Sequence, residues 1–520
     1  MSDPQEPSLA AAEESNNGVI GEAEPENSES KLQNETTTAT DADATTVTTT
    51  VGPIVEEVNS SFNPSVSDDE IEKEDLEKIK GDAIGNTLYS ERFVLSTLLK
   101  LTKIEKDLSE DEPFEKDLCS LWNMTIEADV VKLLLDHNVP EIFTDIIEKT
   151  EDKRLTEILV GIIANMCSVQ QTRKDLCCNS QVMSVLLNLI SCTDSLTLIQ
   201  LMRFFYAVVS SEMNSGDEVL WFQHFKECDS FIENFAFILN NSANLTLLVN
   251  ALSTLEALCV TFALIEIQPD TKDLCFSDVF VQPCLVEGII EAFKTLLPAS
   301  KLEQNSNEEG TASPSKNTKK IMTLFLDINV ILSPYEQISQ KCYEPYLDDL
   351  FHCISQILSP LCQPIYLLPL TSNEQGIVEN VNELFQAFGD PFHEVCFAQM
   401  ISIWHLIDSD REAKENNEQQ WGDEGEENDE EVNSEDICMT ILEFLTRTVM
   451  NTLEDELESA LKMHAPNTIL KLLSALSAGD SEEDIKECCN KIKTVFDKLQ
   501  SEIKTEVAND ESNVVVANSC

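Results

Sequence analysis

Glycine is scarce: 14 among 520 residues. That is too few for nucleotide-binding turns or for an all-β meander full of tight turns. Basic residues are scarce too. Lys+Arg is 34 against 95 Asp+Glu, and 34 − 95 leaves a formal net charge of −61. A chain this acidic repels phosphates, which argues against generic nucleic-acid or anionic-membrane binding. It suits partners rich in Lys and Arg. Only six histidines are present. None sits near two cysteines at finger-like spacing, so no metal and no cofactor are expected. No GxxxxGK[ST], GxSxG, HExxH or GxGxxG occurs, and the expectation is a non-enzyme. No apolar run reads as approaching the ~18 residues of a spanning helix, so a soluble chain is expected, with no membrane contact.

The seventeen cysteines do not form a disulfide framework on paper. Their number is odd, the chain is long, and Met1 to Ala12 lacks a basic region followed by an apolar stretch. Reduced thiols in the nucleus or cytosol are expected. Cys520 does not complete a prenylation box.

What is present is a core-forming 42% of hydrophobic residues, unevenly placed. Residues 1–80 hold 20 acidic and 4 basic residues, with runs of Thr and few large apolar side chains. Such a segment cannot offset its ordering entropy and is expected to be a disordered acidic tail. Residues 408–436 carry 14 acids against Arg411 and Lys414 and read as an acidic insert. Residues 299–318 read as a loop, and 505–520 as a short C-terminal tail. Asp408-Ser409-Asp410-Arg411-Glu412 begins like a calcium loop, but Ala413 stands where the turn glycine is needed. A solvated acidic loop is expected there.

Between these breaks the apolar residues fall at three- and four-residue spacing, predicting helices. A pattern recurs from 138, 179 and 228: helix, polar turn, second helix. The spacings are 41 and 49, against about 40–47 residues for armadillo and HEAT units. Residues 81–504 are therefore expected to form an all-α, armadillo/HEAT-like superhelical solenoid of helix pairs. Degenerate pairs are placed at 285–297 with 321–332 and at 346–358 with 378–388. Single helices at 393–407, 437–461 and 485–503 complete the array.

The ending Gly161-Ile162-Ile163-Ala164-Asn165-Met166 resembles the armadillo consensus. The wider chain resembles the serum amyloid A-like protein family, which is not serum amyloid A itself. That resemblance rests on Gly81 to Ser90, Leu121-Trp122-Asn123-Met124, Asp129-Val130, Pro140-Glu141-Ile142-Phe143 and Gly161 to Met166, over roughly 80–210. It implies an armadillo-like fold, nuclear residence and a link to cell proliferation, and it supplies no catalytic residue.

Armadillo import adaptors clamp basic peptides with a Trp and an Asn one helical turn apart. The corresponding pairs here are Gly161/Asn165, Phe204/Val208 and Ser253/Ala257. One Asn survives and no Trp, so Asn165 is a protein-binding candidate with a structural or capping role as its alternative. Trp122 reads as a core anchor among Leu118, Leu121, Met124 and Ile126, and Thr87 as a cap. Ser65 and Ser67, upstream of Asp68-Asp69-Glu70, are phosphorylation candidates for an acid-directed kinase. Lys316, Lys319 and Lys320 make a weak basic cluster in a loop. The expected function is a protein-interaction scaffold of nucleus or cytosol with basic protein partners. An acidic chaperone or transport adaptor for basic proteins is the alternative.

Overall fold

The computed structural model describes residues 82–517, apart from 105–106, 211–216, 266–274, 308–314, 422–432 and 479–482. The expectations for residues 1–80, with Ser65 and Ser67 among them, lie outside these residues. Among the described residues the fold is all-α, and the one extended pairing is an isolated bridge between Ala83 and Ser90.

Two helices open the array, α1 (Glu91–Leu101) and α2 (Glu112–Met124). Helix triplets follow rather than the expected pairs. They are α3 (Ala128–Asp136), α4 (Val139–Ile147) and α5 (Lys153–Met166), then α6 (Gln170–Cys177), α7 (Ser180–Asn188) and α8 (Ser195–Val209). Next come α9 (Asp217–Glu227), α10 (Phe231–Asn241) and α11 (Leu245–Ala263), then α12 (Phe276–Phe280), α13 (Pro283–Asn307) and α14 (Lys316–Leu332). The last triplet is α15 (Glu336–Tyr343), α16 (Leu347–Leu361) and α18 (Ser372–Ala387), with the single turn α17 (Pro364–Leu367) inserted. The C-terminal helices are α19 (Glu394–Trp421), α20 (Ser434–Met450), α21 (Glu454–Lys462), α22 (Pro466–Ala478) and α23 (Glu483–Ala517).

The third helices stack on one another in chain order: α2, α5, α8, α11, α14, α18, α20, α23. The second helices form another row, with α4 on α7, α10 on α13, α13 on α16, and α16 on α19. One triplet cannot bury both of its apolar stripes, so each shares a core with its neighbours. Local chemistry sets the register. Asp152, Asp194, Asn244, Ser315, Thr371 and Asn433 each accept a backbone N–H at the start of a third-row helix. Such caps are worth about 0.5–2 kcal/mol apiece.

Several expectations need correcting. The break placed at 408–436 begins as helix, because α19 continues to Trp421. Asp408 is buried and bonded to Arg411 (2.6 Å) and Lys471 (2.8 Å), and Lys414 reaches Asp410 (3.4 Å). Ion pairs at helical spacing turn acidic composition into helix support. The loop at 299–318 is likewise shorter, since α13 runs to Asn307 and α14 starts at Lys316. Lys316, Lys319 and Lys320 therefore lie on a helix rather than in a loop. The single element expected at 437–461 is two helices, and α23 extends through residues expected as a tail.

Contrary to the expectation about apolar runs, α11 is 19 residues long and apolar enough to cross a membrane. It packs against α8, α10 and α14, and 67% of its most apolar window is buried within the protein. Enclosure on three sides explains its composition.

At the other end, Gly85 adopts φ +52°, and a Cβ there would lie 2.3 Å from Asp129 Oδ2. The Asn86 N–H donates to that same oxygen (2.9 Å). The turn before α1 thus sits on the start of α3, joining two segments that carry the family resemblance. Thr87 is not a helix cap: its hydroxyl donates to Ile84 O (2.8 Å), and Ser90 caps α1.

Candidate functional site on the third-helix row

Asn165 lies near the end of α5, between α2 and α8. Its Nδ2 donates to Trp122 O and to Thr125 Oγ1 (3.2 Å each), and its Oδ1 accepts from the Arg203 guanidinium (2.9 Å). Arg203 is also bonded to Gln200 (2.5 Å). One amide thus ties three successive third-row helices. Trp122 is half-buried and packs on Gly161, where a Cβ would come within 2.2 Å of the indole. So an aromatic ring does stand beside Asn165, but it comes from the preceding repeat and rests on the glycine. Ile126, expected to share its core, is exposed. Arg154, at the other end of α5, bonds Glu115 of α2 (2.7 Å) and Glu157 (2.8 Å). On α5 the face that would carry a peptide ladder is filled by the stack itself.

Further along the row the face opens. On α8, Leu196 is 51% exposed and Tyr206 37%, with Ile199 half-buried between them. On α11, Val260 is 45% exposed and Leu264 62%. Thr254 Oγ1 donates to Met202 O (3.0 Å) and Thr261 Oγ1 to Val209 O (3.2 Å), so α8 and α11 run parallel at a constant offset. That offset of 52 residues sets Tyr206 level with Leu258, close to Val260, and Leu196 level with the start of α11.

Charged groups border this strip. Glu256 on α11 is half-buried; burial and then the neighbouring Asp327 push its carboxyl up, and Lys320 opposes them. Burial also pushes Asp327 up, against a hydrogen bond from Asn380 (2.7 Å). Lys320 is pulled below the usual lysine range by burial, with Glu256 opposing. Glu256 thus lies within electrostatic reach of both Asp327 and Lys320, and all three are partly desolvated. Lys319 pairs instead with Glu374 of α18 (3.1 Å). Beside them on α18, Gly376 has nothing within 4 Å of where a Cβ would stand. Sequence reasoning aligned Ser253 in the ladder position but missed Glu256, Asp327 and Gly376. A mid-helix glycine is their only local signal.

Elsewhere the chemistry is quiet. The described cysteines are all free thiols, and burial pushes Cys177, Cys438 and Cys488 up to about 12. No group of three metal-ligating side chains occurs among the described residues. A cleft of about 350 Å³ beside the α4–α5 and α7–α8 turns is lined by Thr150, Lys153, Cys192 and Asp194, among others, and Asp194 is engaged in capping α8.

No protein-family profile matches the chain. It is similar to Protein saal1 of Xenopus tropicalis, 33% identical over 208 residues, which is 38% of this chain and 43% of that one. It is also similar to Protein saal1 of Danio rerio, 32% identical over 207 residues (38% and 43%). Protein SAAL1 of Homo sapiens is 30% identical over 182 residues (32% and 38%). The match thus spans less than half the length of these curated relatives. Among solved structures, SYS-1 is aligned over 78% of this chain and 62% of its own, at 12% identity and TM-score 0.39. An engineered protein is aligned over 77% and 99%, at 11% identity and TM-score 0.31.

Proposed function

We propose that this chain is a non-enzymatic protein-interaction scaffold that presents the third-helix row to segments of other proteins. The observation that carries the reading is the open stripe on α8 and α11, where large apolar side chains stand exposed on a row whose α5 face is filled by stacking. Helical repeat proteins use such continuous faces to hold partners. The partners are proteins with basic stretches, which the net charge of −61 favours, rather than nucleic acid or membrane. Nuclear residence, with some cytoplasmic presence, and a role in cell proliferation rest on the family resemblance.

An alternative reading, an acidic chaperone or transport adaptor for basic proteins, is favoured by the 20 acids against 4 bases in residues 1–80. Salt separates the two. The test is titration of a labelled Lys/Arg-rich peptide into the full chain and into a chain lacking residues 1–80, across a series of salt concentrations. Scaffold binding on the helical row persists without the tail and falls shallowly with salt. Adaptor binding disappears with the tail and falls steeply.

A further inference from the structure

Ser109 lies between two residues that the fold uses. Leu108 is fully buried, and its N–H donates to Asp152 Oδ2 (2.6 Å), on the carboxylate that also caps α5. Asp111 caps α2 by accepting from the Phe114 N–H (3.2 Å). The one-turn segment Leu108–Glu110 holds Ser109 exposed between them, and its hydroxyl takes no part in either bond. Three acids follow it without a gap: Glu110, Asp111 and Glu112. Among the described residues no other Ser or Thr is followed by three acids in a row. Ser409 and Thr452 also have an acid three positions on, but Ser409 is bonded to Lys471 (3.2 Å) and Thr452 is buried. The cation that joins α2 to α5 beside this turn is Arg154, and it is already held by Glu115 (2.7 Å) and Glu157 (2.8 Å).

We propose that Ser109 is a phosphorylation site for an acid-directed protein kinase, and that its phosphate loosens α2 from α5. In the transfer, Ser109 Oγ bonds to the γ-phosphorus of ATP as the bond to the ADP oxygen breaks, and the hydroxyl proton passes to the kinase's base. Glu110, Asp111 and Glu112 supply the downstream charge that such a kinase reads. The product carries a charge of about −1.5 to −2 at neutral pH. It stands one residue from the Leu108 N–H that Asp152 holds, so it repels the carboxylate on which that tie depends. Arg154 can turn to the phosphate only by giving up Glu115, which is itself a contact between α2 and α5. Either response weakens the same junction. A phosphate facing uncommitted arginines would order the turn instead, whereas one set among carboxylates disrupts it. The scaffold reading neither requires nor supplies this control.

The test incubates the folded full chain with ATP and a purified acid-directed protein kinase, and maps phosphate by peptide mass spectrometry. Ser109 should be modified, and Ser109→Ala should lose that phosphopeptide. Glu112→Gln should slow modification of Ser109 about tenfold, by removing one charge-assisted contact to the kinase. Hydrogen exchange then reads the consequence. Against Ser109→Ala treated alike, the phosphorylated chain should exchange about tenfold faster at the Leu108 amide and in the first turns of α2. In Asp152→Asn, which keeps a side-chain cap on α5, the phosphate should change exchange there far less. Melting curves before kinase treatment check that each variant is folded, and Ser109→Ala removes only an exposed hydroxyl. A kinase that leaves Ser109 unmodified in the folded chain overturns the inference. So does a phosphate on Ser109 that leaves exchange at Leu108 and α2 unchanged or slower.

Discussion

At the scale of single residues, the junction of Trp122, Gly161 and Asn165 shows what a motif can and cannot reveal. The sequence placed Gly161 and Asn165 in a ladder position, and the missing tryptophan on the same helix spoke against peptide clamping. The ring beside them belongs to α2, forty residues away in the chain, and only packing brings it there. Gly161→Ala should push that ring out of place and cost about 1–3 kcal/mol. Asn165→Ala should cost a similar about 1–3 kcal/mol, by removing the bonds that tie it to Trp122 O, Thr125 Oγ1 and the Arg203 guanidinium. Urea denaturation followed by tryptophan fluorescence measures both. Unchanged midpoints would show that the α2–α5–α8 tie is ornamental to stability.

At the scale of elements, the second and third helices of each triplet were legible because their apolar stripes repeat at helical spacing. The short first helices were not. Gln170–Cys177 is almost wholly polar on its outer side, and its helicity depends on burying Leu176 and Cys177 against neighbours. The acidic stretch after Asp408 misled for a related reason: composition suggested solvation, while Lys471 arrives from a different helix to pair with Asp408 and Glu412. Stacking also dictates how damage spreads. Ile163 is fully buried in α5, and Ile163→Ala should cost about 2–5 kcal/mol. Because repeat stability depends on neighbouring interfaces, exchange protection should fall in α6–α8 as well as in α4–α5. A loss confined to α5 would show that the triplets are independent.

The C-terminal helices should respond to pH. His405 on α19 is held below the usual histidine range by burial and by Lys471, with Asp408 and Glu412 opposing. His464, between α21 and α22, is held low by burial and by His405, against a hydrogen bond that its ring donates to the backbone carbonyl of Ala398. His405 Nδ1 and His464 Nε2 are buried without partners. The unfolded chain takes up these protons more readily than the folded one. Their contribution is therefore intact above the unfolded histidine value of about 6.5 and lost as pH falls below it. Protection of α21 and α22 should decline between neutral and mildly acidic pH, and less so in His405→Gln with His464→Gln. An identical decline in the double variant would assign the effect to other groups.

At the scale of the whole molecule, repeat spacing and helical periodicity sufficed to indicate an all-α array, because both are set by local sequence. Which part of the row stays open was not legible. It depends on which side chains the neighbouring repeat consumes: Trp122 and Arg154 close the face of α5, whereas Leu196 and Tyr206 on α8 and Val260 and Leu264 on α11 stay exposed among the described residues. The central claim is that this open face is where the scaffold meets its partners. Hydrogen exchange of the full chain with and without the Lys/Arg-rich peptide tests it most directly. Protection should rise in α8 and α11 and stay unchanged in the second-helix row of α10, α13 and α16. Protection confined to the second-helix row, or none anywhere at saturating peptide, would contradict it.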